Sequence, residues 1–509
     1  MDETFPTGRP IVPLTTPRRV AAAAALLLLA APATALAASQ SASAGQSAGR
    51  TQSAGRTQAA GRTQAAGKAA AGKSTVAKKA AVTTTAPTGF TTYPAPANQA
   101  QDAGEPSIGL DPVTGGAMFQ AVQQTERVNF SGGSSTWTDV SPLTSKGTTL
   151  DPILFTDNRT GRTFASQLLA ATSAMSFTDD GGKNWTPSQG GGIGTVFDHQ
   201  SVGGGPYPAG GVARPLTAYP DAVYYCAQAD VTASCARSDN GGLTFGPASP
   251  AYTFADGCAG LHGHLRVGPD GTAYLPNFDC NGHASVAVSS DAGTTWKVRE
   301  VPFSTTQDES DPSVSVGKDG AVYFAWQDGA DNTKGSVAKV AVSRDHGATW
   351  TLAYTAPGIG NVQFPEMISG DAGRAAVAYL GSPTAGNDQL KAFPGVFHLY
   401  VATTYDGGAT WSTVDTTPSD PVQRGGISLG GFDPSGQAGA ERNLLDFNDI
   451  TLDNAGRVLV GYADGCTGGC VSDPSKNAYT DSGVIARQST GNTLFAAYDA
   501  SGGAATTLN

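Results

Sequence analysis

The sequence predicts an all-β protein, a β-propeller of seven blades. Three observations point there: a repeated phrase, its spacing, and the strand pattern between copies. The phrase runs over eight residues: a hydroxyl side chain, an Asp two places on, turn residues, a Thr and an aromatic. Clean copies are Ser289 to Trp296 (SSDAGTTW), Ser343 to Trp350 (SRDHGATW) and Thr404 to Trp411 (TYDGGATW). Looser copies are Thr178 to Trp185 (TDDGGKNW) and Ser238 to Phe245 (SDNGGLTF). The aromatics at 185, 245, 296, 350 and 411 are 60, 51, 54 and 61 residues apart. That period suits a four-stranded antiparallel blade, and repeats of this kind bury by stacking what none buries alone.

The chain ahead of the repeats reads differently. Residues 1–37 form a secretory signal: Arg18 and Arg19, an apolar run from Val20 to Pro32, then Ala35-Leu36-Ala37 as a small-x-small cleavage site. The run is too short to span a bilayer, and no later stretch is apolar enough to do so. Residues 38–88 are a basic Ala/Gly/Ser/Gln linker with SAGRTQ-type repeats and no aromatics, for which disorder is expected. Ten of the 31 Lys and Arg precede residue 89, against two of the 42 Asp and Glu. The folded part, residues 89–509, is therefore left with 21 basic and 40 acidic residues, near −19. Such a surface argues against nucleic acid as a partner. The basic linker suits contact with an anionic cell wall, or simply a solvated spacer. An extracellular protein, with no transmembrane segment, is the expectation.

Each blade follows one grammar: a short strand, a Gly-containing turn, an apolar strand, and a third strand entering the phrase. In the fifth repeat these are DPSVSVGKDG, AVYFAWQDG and VAKVAVSRDHGATW, with the alternation of half-buried strands. The first repeat (EPSIGLDPVTG, AMFQAVQQ, ERVNFSGGSSTW) carries a decayed phrase around Trp137. The last (NDITLDNAGR, VLVGYADGC, GVIARQSTGNTLF) has one decayed to Ser489–Leu494. Blade marks at 137, 185, 245, 296, 350, 411 and 494 favour seven blades, with six as the alternative. The final step of 83 residues implies an insertion, placed at the Gly/Pro/Ser-rich stretch 417–441. Cys226, Cys235, Cys258, Cys280, Cys466 and Cys470 sit in three local pairs, read as disulfides 226–235, 258–280 and 466–470.

Asp180, Asn240, Asp291, Asp345 and Asp406 occupy the acid position of the phrase. There a carboxylate takes backbone N–H groups of its own turn, while Gly supplies positive φ and the aromatic anchors the blade. The phrase resembles the Asp box, or bacterial neuraminidase repeat, of sialidase-like propellers. That resemblance covers most of residues 150–415 and implies that these boxes are scaffold on the outer turns, away from the chemistry.

Chemistry is expected where the first strand of each blade begins. Aligning the strand starts brings Glu105, Asp151, Asp198 with His199, His262 with His264, Asp311, Glu366 and Asp449 into one register. Acids are disfavoured in strands, so one acid or imidazole per blade marks a shared channel mouth. Paired carboxylates there suit glycosidic hydrolysis, which makes Asp311, Glu366, Asp198, Glu105 and Asp449 catalytic candidates. His199, His262, His264 and Asp151 are candidates for binding substrate. Trp326 is a candidate stacking platform, its alternative being packing between blades. No cofactor is predicted, although His262-x-His264 and the neighbouring acids have the donor types for a divalent cation.

Sialidases hold their substrate's carboxylate with three arginines, one in an Arg-Ile-Pro motif of the first blade. Here Glu105-Pro106-Ser107-Ile108 stands in its place, so an anionic sugar would meet a repulsive acidic mouth unless a metal or outlying arginines such as Arg424 and Arg442 offset it. Sialidase activity is therefore not carried over. The scaffold also serves xyloglucan-cleaving and arabinan-cleaving hydrolases and polysaccharide lyases. The expectation is a secreted protein acting on a polysaccharide or glycoconjugate, most simply a glycoside hydrolase, with a non-catalytic glycan- or protein-binding propeller as the alternative.

Overall fold

The computed structural model describes residues 87–146, 151–169, 172–190, 198–210, 219–229, 231–305, 310–329, 333–429 and 442–499. The expected signal (1–37) and nearly all of the linker (38–88) lie outside these residues.

Seven antiparallel sheets follow one another along the chain, six of four strands and one of five. Their innermost strands are Ser107–Leu110, Pro152–Thr156, Asp198–Gly205, Arg266–Val267, Ser313–Val316, Asn361–Ser369 and Asp449–Leu452. Each touches the next, and the seventh touches the first, so the ring is closed. The fold is a seven-bladed β-propeller, and blades are numbered 1 to 7 in that order. Inner strands pack so closely that a Cβ on Gly203 would meet the Leu265 carbonyl oxygen at 2.6 Å.

Closure uses the first strand of the described residues, which the repeat pattern did not indicate. Gly89–Pro94 is the outer strand of blade 7, paired antiparallel with Ser482–Thr490, so the last blade is built from both ends of the folded chain. The insertion is also only partly where expected. Residues 417–429 are described, and Gln423–Arg424 adds a fifth strand to blade 6, while 430–441 lie outside the described residues. A second excess, between Val458–Asp464 and Ser482–Thr490, carries Cys466 and Cys470.

The core lies between blades rather than inside one. Successive residues of a strand feed successive layers: Tyr323 joins the cluster shared with blade 6, Phe324 the cluster shared with blade 4. Both faces of the sheet are covered, so Val322–Asp328 is buried at every position and not alternately, as the sequence pattern implied. Trp296, Trp350, Trp411 and Phe245 pack against these layers half-buried.

All five phrases form one turn between the third and outer strands. Each central Asp (Asn240 in blade 3) accepts the hydroxyl two residues back at 2.8–2.9 Å and the backbone N–H four residues on at 2.8–3.0 Å. The side chain four residues on (Asn184, Thr349, Thr410) also donates to the carboxylate, and this bond first, with the others, lowers the carboxyl pKa of Asp180, Asp345 and Asp406, Asp345 to about 2. At Asp291 they also outweigh a first, opposing effect of burial. Disulfides join Cys226–Cys235, Cys258–Cys280 and Cys466–Cys470. No helix among the described residues is long and apolar enough to cross a membrane.

Candidate functional site

The backbone is distorted at several of the strand starts that the ring brings to the axis. Glu105, His199, Phe364 and Leu445 have φ of +55°, +45°, +57° and +57°, a region that non-glycine residues rarely adopt. Bulges interrupt pairing between Asp198 and Gln200 and between Gln363 and Glu366. Bulges of this kind re-aim side chains, and backbone strain collects at functional sites.

Glu105, Asp151, His199, His262, His264 and Asp311 line one axial cavity together with Gln200 and Phe447. It measures about 10 Å³, room for a single water. His262 and His264 both reach it, although Leu261–Leu265 is not regular strand as expected and blade 4 begins only at Arg266. His199 Nε2 lies 3.1 Å from Asp311 Oδ1, which makes that acid half of a buried pair. Burial raises the Asp311 pKa and His199 opposes the rise. Glu105 is pushed well above the usual carboxylate range, first by burial, then by Asp151 and Asp446. Arg442 clamps Asp446 through two bonds of 2.7 and 2.6 Å. Asp198 starts the inner strand of blade 3, and its side chain lies outside the description.

Glu366 and Asp449 form a second group on the Nδ1 side of His264. One donor atom from each of the three residues lies within 4.8 Å of the others. Ser313 Oγ donates to Glu366 Oε2 at 2.8 Å. Asp449 accepts from Ile108 N at 2.9 Å, from its neighbour Ile450 N at 2.8 Å and from Arg266 Nη2 at 3.1 Å. Burial pushes the Glu366 carboxyl up to about 7. Burial acts the same way on Asp449 but is outweighed by His264 and Arg266, which hold it below the usual range. His264 is itself raised: burial opposes its charge, and Asp449 and Glu366 override that. The trio has metal-ligand chemistry, yet the oxygens of Asp449 are engaged and Arg266 already supplies a positive charge.

Three expectations need correction. The ring is not an open mouth: Glu105, His199, His262, His264, Asp311, Glu366 and Asp449 are between 1 and 6 % exposed. Seven inner strands packed edge to edge leave the axis too narrow for a sugar at that level. Trp326 is no stacking platform, being 1 % exposed between blades 4 and 5 with its Nε1 donating to Asp328 at 2.8 Å. Arg424 does not offset the ring either, since it donates to the Cys470 and Val471 carbonyls.

The open cavity is at the other end. Where the inner strands finish, all seven blades line a basin of about 720 Å³. Its wall includes Phe155, Arg159, Arg266, Lys318, Asp157 and Asp453. Arg266 is the residue that sequence reasoning missed. It opens the inner strand of blade 4, with its side chain 20 % exposed, lining the basin, and its tip on Asp449.

No family model matches this sequence, and no curated relative matches it. Among solved structures it is similar in fold to a Dyadobacter fermentans protein of unknown function (13 % identity, TM-score 0.40, 78 % of this chain and 97 % of that one). It is also similar to the GH74 xyloglucanase from Xanthomonas campestris (11 %, 0.44, 74 % of this chain) and to the Hadza microbial sialidase Hz136 (14 %, 0.36, 76 %). The chain spans about half, 53 %, of the xyloglucanase and 66 % of the sialidase.

Proposed function

We propose that this protein is a secreted, glycan-acting propeller, and that it hydrolyses glycosidic bonds on the channel axis with Glu366 and Asp449. One observation carries the reading: two neighbouring carboxyls whose pKa values are driven apart. Glu366, raised to about 7, keeps its proton near neutral pH and serves as the acid. Asp449 stays ionised beside Arg266 and His264. One donor atom of each lies within 4.8 Å of the other's, nearer the ~5–5.5 Å separation of a retaining pair than the ~6.5–9.5 Å of an inverting one.

Glu366 would protonate the glycosidic oxygen as Asp449 attacks the anomeric carbon, giving a covalent glycosyl–aspartate and a free alcohol. Glu366, now ionised, would take a proton from water as that water displaces Asp449, which restores both groups. Because the axis as it stands is too narrow for a sugar, this reaction requires Arg266, the partition between the basin and Asp449, to swing aside and admit the substrate from the basin. Export fits the three disulfides and the leader-like N-terminus.

Burial of the whole ring favours a second reading, a propeller that binds glycan in the basin without cleaving it. The purified protein incubated with plant, algal and microbial polysaccharides separates the two. Hydrolysis expects reducing ends that Glu366→Gln lowers by roughly 10²-fold or more, and a rate that falls tenfold per unit above about pH 7. Unchanged turnover in Glu366→Gln sinks the dyad. No release from any glycan, with binding retained, leaves the binding reading.

A further inference from the structure

The basin has a chemistry opposite to that of the buried ring. Its acids are spoken for within the fold. Asp157 accepts from the Tyr219 hydroxyl at 2.5 Å and from Arg159 N at 2.9 Å, and Asp453 sits between Arg457 and Arg487 at 3.2 and 2.7 Å. Its cations reach solvent. Arg159 pairs with Asp221 while 52 % exposed, and Lys318 pairs with Asp371 at 2.7 Å while 63 % exposed. The Lys318–Asp371 pair is exposed and worth little, so a ligand anion can compete for the ammonium, whereas Asp221 is fully buried and Arg159 would meet a ligand with the N–H groups not directed at Asp221. Arg266 adds a third cation at the floor.

Apolar surface completes the wall. Phe155 of blade 2 and Phe495 beyond blade 7 are half-buried, and Lys318 Nζ lies 4.2 Å from the centre of the Phe495 ring. A ring bearing hydroxyls at its edge, a C–H face and a carboxylate matches this set. Its face would lie on a phenyl and its anion between the cations. A cavity of about 720 Å³ takes two or three such rings, within the range of ligand pockets.

We propose that the basin is a binding site for a carboxylate-bearing saccharide, a uronic-acid oligomer, held by Arg159, Lys318 and Arg266 over Phe155 and Phe495. The proposal rests on the glycan reading of the channel, not on the hydrolytic role of Glu366.

Titration calorimetry with trigalacturonate tests it, with maltotriose as the neutral probe and a sulfated trisaccharide as the second anion. Trigalacturonate should bind at least tenfold tighter than maltotriose, and added salt should weaken it. Arg159→Gln and Lys318→Gln, both exposed and outside the proposed catalytic pair, should each weaken it roughly tenfold, within the range for a charged hydrogen bond. Lys318→Glu should weaken it further while the melting temperature holds. Glu366→Gln should bind as the parent does, so loss of hydrolysis and loss of the site are told apart. Equal binding of maltotriose, indifference to the Arg159 and Lys318 changes, or equal binding of the sulfated probe would overturn the assignment.

Discussion

Arg266 of blade 4 and Asp449 of blade 7 meet at 3.1 Å across the axis, between the basin and the buried ring. They are 183 residues apart in sequence and belong to inner strands that are not neighbours in the ring. Asp449 is 3 % exposed, so its charge depends on the partners the closed ring brings to it. Removing one partner of a buried pair strands the other. Arg266→Met should therefore cost about 3–5 kcal/mol, and Arg266→Met with Asp449→Asn should recover most of it. Chemical unfolding of the two singles and the double measures this. Additive losses would show that the two residues are not coupled.

Stability should be greater on the acid side of neutrality. Burial raises Glu366, Asp464 and Glu126 to about 7 and Asp388 to about 6. For a carboxyl raised on folding, the native state holds the proton that the unfolded chain has released. Such groups destabilise progressively as pH rises from about 4.5 through 7. Groups lowered on folding, such as Asp345 at about 2, act the other way and lose their stabilisation only below about pH 4. The melting temperature should be higher near pH 5 than at pH 7.5. A profile flat or rising across that interval would contradict these environments.

The N-terminal strand should act as the clasp of the ring. Tyr93 is 4 % exposed, and its ring lies 4.9 Å from that of Phe130 in blade 1. Tyr93→Ala should cost about 3–5 kcal/mol, as for other large buried aromatics. Removing Gly89–Pro94 as well should expose the edge of Ser482–Thr490 and promote association, visible by light scattering. A truncated chain as stable and as monodisperse as the parent would rule the clasp out.

The repeated turns should matter for stability alone. Asp291 takes Ser289 Oγ at 2.9 Å, Thr295 N at 2.8 Å and Thr295 Oγ1 at 2.6 Å, far along the blade from the axis. Asp291→Ala should cost about 1–2 kcal/mol and leave ligand affinity in the folded fraction unchanged. A selective loss of binding, with the melting temperature intact, would place function at the outer turns.

The sequence by itself determined the periodic part of this protein. Seven blades, their order, the cysteine partners and the convergence of Glu105, His199, His264, Asp311, Glu366 and Asp449 follow from local patterns, because a blade is a run of neighbouring hairpins. Tertiary structure decided the rest. Gly89–Pro94 carries no phrase, so only ring closure placed it in blade 7. Glu366 and Asp311 look alike in sequence, yet one meets His264 and Asp449 and the other His199, since partners more than 80 residues away are chosen by blade geometry. Whether the acids face water or one another depended on how tightly seven strands close around an axis, which no single repeat contains. Burial and pairing set the charge of each carboxyl, and both are properties of the assembled ring.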